Sequence, residues 1–95
     1  MIKQEIDFNI KNTIIADIDT EFKRATSLYP KFNSRHEGYA LLDEERFELW
    51  LEVMKNHSKD KEAIIKMRKE AVQVAAMVMR FIYDCCDTKN PEENW

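Results

Sequence analysis

The sequence predicts an all-α fold, a short helical bundle of three main helices. Of its 95 residues, 44% are hydrophobic and 35% charged, with one Gly and two Pro. This is too hydrophobic for a disordered chain and too poor in turn residues for a small β sandwich. Three stretches repeat apolar residues at helical spacing. We therefore expect one domain over residues 1–95, with residues 1–11 as an arm and 87–95 as a tail at its periphery.

The first helix is expected to begin after a cap at Asn12 or Thr13 and to run to about Leu28. It ends there because Pro30 disfavours helical geometry at the residue before it. Its apolar positions follow helical spacing: Ile14, Ile15, Ile18, Phe22, Ala25 and Leu28.

The second helix is expected to run from about Arg35 to Asn56. It follows a capping box, "SRHE", in which Ser34 and Glu37 can each bond the backbone N–H of the other. One side of this helix is apolar and should face the core: Tyr39, Leu42, Leu49, Trp50, Val53 and Met54. Arg46 sits in the middle of that side, so its head must reach a carboxylate or the surface.

The third helix is expected to run from about Lys61 to Tyr83 or Cys86, after a cap at Ser58 or Asp60. It should be the central helix because it has a broad apolar face: Ile64, Met67, Ala71, Val74, Ala75, Val78, Phe81, Ile82 and Cys85. A second, narrower stripe must find water or polar partners: Glu70, Gln73, Met77, Arg80 and Asp84.

Charge and cysteine content narrow the class of protein. The net charge of −3 does not suggest direct binding of nucleic acid, which usually requires a basic surplus. No apolar run reaches membrane-spanning length, and "MIKQEIDFNI" lacks the apolar segment of a signal peptide. The adjacent Cys85 and Cys86 are expected to be free thiols. These features predict a protein of the reducing cytoplasm.

The stretch "DEERFELW", residues 43–50, crowds carboxylates on one helix. Five acids of the second helix fall within a sector of roughly 100°: Glu37, Glu44, Glu45, Glu48 and Glu52. They could form a solvated acidic face that meets the basic run at residues 55–69. Alternatively, Glu45 and Glu48 could hold Mg²⁺, which prefers hard oxygen ligands. "EAVQ", from Glu70 to Gln73, repeats the three-residue step on the helix expected to lie against this one.

These two motifs resemble the signature of the MazG-like family of all-α nucleoside triphosphate pyrophosphohydrolases. That signature is E-x-x-E, an intervening stretch and E-x-x-D, matched here by Glu45-x-x-Glu48 and Glu70-x-x-Gln73 around residues 49–69. The longer stretches "FNSRHEGYALLDEERFELWLEV" and "MRKEAVQVAAMVMRFI" are similar to small, often phage-encoded members. The likeness covers about residues 32–83.

The resemblance implies a bundle that forms a homodimer or homotetramer with a composite site. After Tyr83 the chain is too short for the fourth helix of larger members, so oligomerisation would complete the core. It implies cleavage of a nucleotide between its α- and β-phosphates, giving monophosphate and pyrophosphate. Glu45, Glu48 and Glu70 would hold Mg²⁺ together with Gln73, and Glu44 would act as an outer ligand or orient water.

The roles of other site residues are hypotheses based on the chemistry of their side chains. Cationic side chains could meet the phosphates of the nucleotide: Lys66, Lys69 or Arg80. Aromatic side chains could stack on its base: Trp50, Phe47 or Tyr39.

Two departures from the family pattern leave other functions open. Gln73 stands where the signature has Asp, and "RF" at Arg46–Phe47 replaces an apolar–acidic pair. Because an amide brings no charge, metal affinity should fall. The alternatives are a catalytically weak or inactive nucleotide-binding relative, such as a phage sponge for a signalling nucleotide of host defence, and a helical oligomer with an acidic solvent face.

Overall fold

Three helices make up the described part of the chain: α1 (Phe8–Leu28), α2 (Arg35–Met54) and α3 (Lys61–Cys85). The structure, a computed structural model, describes residues 3–55 and 60–87. Within these ranges there is no strand, and the expected all-α class with three main helices is confirmed.

α1 begins earlier than the sequence predicted. Asp7 caps it by accepting hydrogen bonds from the backbone N–H groups of Asn9 at 2.8 Å and Ile10 at 3.2 Å. The prediction of an irregular arm up to residue 11 was therefore wrong for its last residues. An aspartate satisfies the free N–H groups of a first turn well, and the apolar pattern alone does not locate such a cap.

The ends of α2 and α3 agree more closely with prediction. Ser34 caps α2 by accepting from the N–H of Glu37 at 3.1 Å. The second hydrogen bond of the capping box differs from the prediction. The Glu37 carboxylate accepts from the backbone N–H of Asn33 at 3.1 Å, one residue before Ser34. Asp60 caps α3. The alternative cap Ser58 and the predicted end of α2 at Asn56 lie outside the described residues, as does the tail beyond residue 87.

α3 is the central helix, since both α1 and α2 pack mainly against it. α2 approaches it closely at Gly38, where an added Cβ would lie 2.8 Å from a ring carbon of Phe32 and 3.0 Å from one of Phe81. Buried apolar residues are few and mostly small in the described ranges: Ala25, Phe32, Ala76 and Cys85. No described helix is long and apolar enough to cross a membrane.

On α2 and α3, the residues that are buried and exposed differ from those that the sequence predicted. On the side of α2 expected to be core, Tyr39, Trp50, Val53 and Met54 are exposed, and Leu42 and Leu49 are only half-buried. On α3 the expected apolar face is only partly buried: Cys85 is buried and Met67, Val74, Ala75 and Phe81 are half-buried, but Ile64, Ala71, Val78 and Ile82 are exposed. The polar stripe of α3 is the more buried one instead, because it faces the other elements of the same chain.

Candidate functional site

Three carboxylates from two helices meet at the contact between α2 and α3. Oxygen atoms of Glu45, Glu48 and Glu70 all lie within 4.8 Å of one another. The three-residue spacing places Glu45 and Glu48 on one face of α2. Glu70 reaches them because α3 turns its polar stripe toward the same side. The structure thus brings together three of the four residues predicted to bind metal.

Burial and mutual repulsion act on this cluster of Glu45, Glu48 and Glu70. Burial raises the pKa of Glu45, and the charges of Glu48 and Glu70 raise it further. The pKa of Glu70 is raised in the same way, first by burial and then by Glu48. The Oε2 atoms of Glu45 and Glu70 are buried and accept no hydrogen bond from the described residues. Carboxylate oxygens in this condition suit a hard divalent cation, which would replace the missing donors.

Gln73, the fourth predicted metal ligand, lies about one turn after Glu70 on α3 and is half-buried. It lines a groove that also contains Glu45. Glu44, predicted to act in catalysis, is exposed on α2 next to Glu45 in sequence.

The two lysines predicted to bind phosphate lie on the same helix as Glu70. The charge of Lys69 lowers the pKa of Glu70, against the larger effect of burial, so its ammonium group acts on the cluster. Lys66 is exposed one turn before Glu70.

The aromatic residues predicted to stack a base are not brought to the cluster. Trp50 is 49% exposed. At 100° per residue it points roughly 160° away from Glu48 around α2. Tyr39 and Phe47 are also exposed, on the same broad side as Trp50.

A groove of about 450 Å³ adjoins the carboxylate cluster, between α1, the α1–α2 connection, α2 and the polar stripe of α3. Its walls combine apolar surface with charged and amide groups. The polar lining residues are Glu21, Arg24, Asn33, Glu37, Glu45, Gln73 and Arg80. Apolar and aromatic lining residues include Ala25, Tyr29, Phe32, Leu41, Ala76 and Met77.

Arg80 holds the α1–α2 connection against α3. It is 4% exposed, its Nη2 donates to the carbonyl oxygen of Pro30 at 3.0 Å, and its guanidinium carbon lies 4.6 Å from the centre of the Phe32 ring. One turn further on, the carboxylate of Asp84 accepts from the N–H of Phe32 at 3.1 Å. Arg80 and Asp84 of the polar stripe therefore find partners in the connecting loop, and Arg80 shapes the groove from one side.

Sequence reasoning missed the contribution of α1 to this region. Arg24 donates two hydrogen bonds to Glu21, at 2.9 and 2.6 Å, and this bonding lowers the pKa of Glu21. The negative charge of Glu21 in turn raises the pKa of Glu45. The E-x-x-R spacing was visible in the sequence, but it predicts only a local ion pair. Nothing in that pattern says which side of α1 faces the other helices.

Comparisons with models of protein families, with curated proteins and with solved structures found no match. The resemblance to the MazG-like family therefore stays a prediction from the residues. What the structure contributes is the juxtaposition of the two motifs that carry this resemblance.

Proposed function

We propose that this protein is a Mg²⁺-dependent nucleoside triphosphate pyrophosphohydrolase. It would convert a nucleoside triphosphate and water into a nucleoside monophosphate and pyrophosphate. The observation that carries the proposal is the meeting of Glu45, Glu48 and Glu70 within 4.8 Å beside an open groove. The unpartnered buried oxygens of Glu45 and Glu70 support it, because they are acceptors that a bound cation would satisfy.

In this proposal Glu45, Glu48 and Glu70 hold Mg²⁺, and the amide oxygen of Gln73 offers a neutral fourth ligand. The bound ion would neutralise phosphate charge and make water a better nucleophile. Glu44 is the exposed carboxylate next to this set and would orient the attacking water. Lys69 and Lys66, which precede Glu70 on α3, would attract the triphosphate by charge.

The groove would accept the rest of the nucleotide. Its volume of about 450 Å³ falls in the range of small-molecule sites, roughly 300–1,000 Å³. Tyr29 and Met77 line the groove and would provide apolar surface for a base, while Arg24 and Asn33 would provide polar groups. Arg80 would act mainly by fixing the loop that forms one wall, since its Nη2 already donates to a loop carbonyl.

Gln73 favours a second candidate, a relative that binds nucleotides without turning them over. Gln73 lines the same groove as Glu45, but it adds no negative charge to the metal site. A site with three carboxylates and one amide would bind Mg²⁺ less tightly than one with four carboxylates. Such a protein could serve a phage as a sponge for a signalling nucleotide of host defence.

Turnover separates the two candidates. Each ribo- and deoxyribonucleoside triphosphate is incubated with the protein and Mg²⁺, and monophosphate and pyrophosphate are followed by ³¹P NMR. We expect release with at least one nucleotide, its loss in EDTA, and its loss in Glu48→Gln. Glu62→Gln is the matched control, because Glu62 is an exposed glutamate in the first turn of α3, outside the cluster.

Absence of pyrophosphate at high enzyme concentration with every nucleotide would refute the hydrolase proposal. Calorimetry with nucleotides and cyclic dinucleotides then tests the second candidate. Heat of binding that depends on the carboxylate cluster would support a nucleotide-binding protein. No binding would leave a helical oligomer with an acidic face.

A further inference from the structure

The groove beside the carboxylate cluster runs along α2 and has two ends of different chemistry. Glu37, Leu41 and Glu45 follow one another at four-residue steps of α2, and all three line the groove. Glu37 and Glu45 are eight residues apart, which corresponds to about 12 Å along a helix axis. We define the end at Glu45 as the cluster end, and the end at Glu37, beside the α1–α2 connection, as the loop end.

The two ends favour one orientation of a bound nucleotide. The argument rests on the proposed function, in which the metal at the carboxylate cluster holds the phosphates. Because the sugar separates the phosphates from the base, phosphates at the cluster end place the base toward the loop end. The reverse orientation would bring the phosphates to the Glu37 carboxylate, which repels them. Between the ends the lining is apolar at Leu41, Ala76 and Met77, which suits the sugar and the face of a base.

The loop end presents a carboxylate that is held in place and accepts hydrogen bonds. The backbone N–H of Asn33 donates to Oε1 of Glu37 at 3.1 Å, and Nδ2 of Asn33 donates to Oε2 at 2.9 Å. These bonds lower the pKa of Glu37, so its side chain is ionised at neutral pH and has no proton to donate. They use two of the roughly four acceptor sites of a carboxylate. The other sites can take N–H donors from a ligand in the groove.

From this placement we infer that the groove selects nucleotides whose base carries an exocyclic amino group, and that this group donates to the carboxylate of Glu37. Cytosine, adenine and guanine carry such a group, and glutamate accepts from the cytosine amino group in nucleic-acid recognition. Uracil and thymine instead flank their ring N–H with carbonyl oxygens. A carbonyl oxygen facing Glu37 leaves two acceptors together without a donor, which weakens binding.

A matched pair of ligands, the α,β-methylene analogues of CTP and UTP, tests the inference. Their bases differ in the amino or carbonyl group at position 4 and in the proton on the neighbouring ring nitrogen, and the bridging carbon blocks cleavage. In calorimetry with Mg²⁺ we expect the cytidine analogue to bind roughly 10–100-fold more tightly. The wild-type ratio is informative by itself, so the test does not depend on the folding of a variant.

Glu37→Gln identifies the residue that carries the preference. The amide keeps the size of the side chain and an acceptor for Asn33, but it can also donate to a carbonyl oxygen. The preference for the cytidine analogue should therefore fall to about one. Glu62→Gln is the control, because Glu62 is exposed in the first turn of α3, and it should keep the wild-type ratio. Circular dichroism checks that both variants are folded.

Equal affinities for the two analogues in wild type, or tighter binding of the uridine analogue, would overturn the inference. So would a folded Glu37→Gln that weakens both analogues by the same factor, which is the result expected if Glu37 only supports the cap of α2. Base-dependent binding without pyrophosphate release from CTP would support this inference and refute the hydrolase proposal. Pyrophosphate release with equal affinity for the two analogues would do the reverse. No binding of either analogue would overturn both.

Discussion

Replacing Glu48 by glutamine should stabilise the metal-free protein and should also abolish its response to Mg²⁺. Glu48 repels both Glu45 and Glu70, and its charge contributes to the raised pKa of each. The substitution keeps the shape of the side chain and removes the charge. Stability in EDTA should therefore rise, while one of the three cluster carboxylates is lost.

The separation of the carboxylates sets the size of the effect. For unit charges 4.8 Å apart, Coulomb's law gives about 0.9 kcal/mol in water and about 3.5 kcal/mol at an effective dielectric constant of 20. Glu48 is exposed, so the lower value is the better guide. Salt reduces the repulsion further. We expect about 1 kcal/mol, or roughly 4–8 °C in Tm for a chain of this size.

Thermal unfolding followed by circular dichroism, in EDTA and in Mg²⁺, provides the assay. At ten times its dissociation constant, Mg²⁺ would stabilise wild type by about 1.4 kcal/mol. The order of stability should therefore change: Glu48→Gln should be the more stable protein in EDTA, and wild type should be equally or more stable in Mg²⁺. Glu44→Gln is the control for loss of an exposed charge and should change stability by less than about 0.5 kcal/mol.

Two results would contradict this reasoning. A Glu48→Gln variant less stable than wild type in EDTA would mean that Glu48 makes a favourable contact that outweighs the repulsion. A wild-type Tm that does not respond to Mg²⁺ at any concentration would remove the cluster as a metal site.

Three further outcomes follow from the same structure. In EDTA the free energy of unfolding of wild type should fall as pH rises from 5 to 8. The pKa values of Glu45 and Glu70 are raised above the ordinary 4.5, so both residues hold more protons in the folded state than in the unfolded state. Denaturant titration at each pH measures this, and a free energy of unfolding that rises through that range would refute it. Arg80→Leu should lower the free energy of unfolding, measured in urea, by about 2–4 kcal/mol, because it removes a buried cation and its hydrogen bond to the loop carbonyl. A change below about 1 kcal/mol would show that other contacts hold the loop. Gly38→Ala should destabilise the protein by about 1–3 kcal/mol, because its Cβ would lie 2.8 Å from the Phe32 ring. This outweighs the preference of alanine for helices, and a gain in Tm would mean that the ring moves at little cost.

Helix positions followed from local chemistry and could be predicted from the sequence. Ser34 and Asp60 cap α2 and α3 as expected, since a short oxygen-bearing side chain satisfies the free N–H groups of a first turn wherever it occurs. Arg46 reaches Asp43 as its position implied. The start of α1 was placed too late because Asp7 is an equally good cap and precedes the recognisable apolar pattern.

Part of the candidate site was also predictable. The spacing of Glu45 and Glu48 placed them on one face of a helix, and "EAVQ" on the next helix identified Glu70 as a residue that could join them. The contribution of Glu21 and Arg24 could not be obtained in this way, because it depends on how α1 is rotated against α3. Trp50 was assigned to the site by residue type alone, and its position on the other side of α2 shows how little residue type says about direction.

By itself the sequence determined the approximate positions of the three helices and which residues share a face of each, because capping and helical periodicity are properties of neighbours along the chain. Only the tertiary structure decided which face turns inward. The apolar stripe of α2 and the polar stripe of α3 were both visible in the sequence, but their burial depends on the other elements. Arg80 and Asp84 find their partners in the α1–α2 loop at Pro30 and Phe32. These contacts join residues 50 and 52 positions apart in the sequence, so no local pattern could have predicted them.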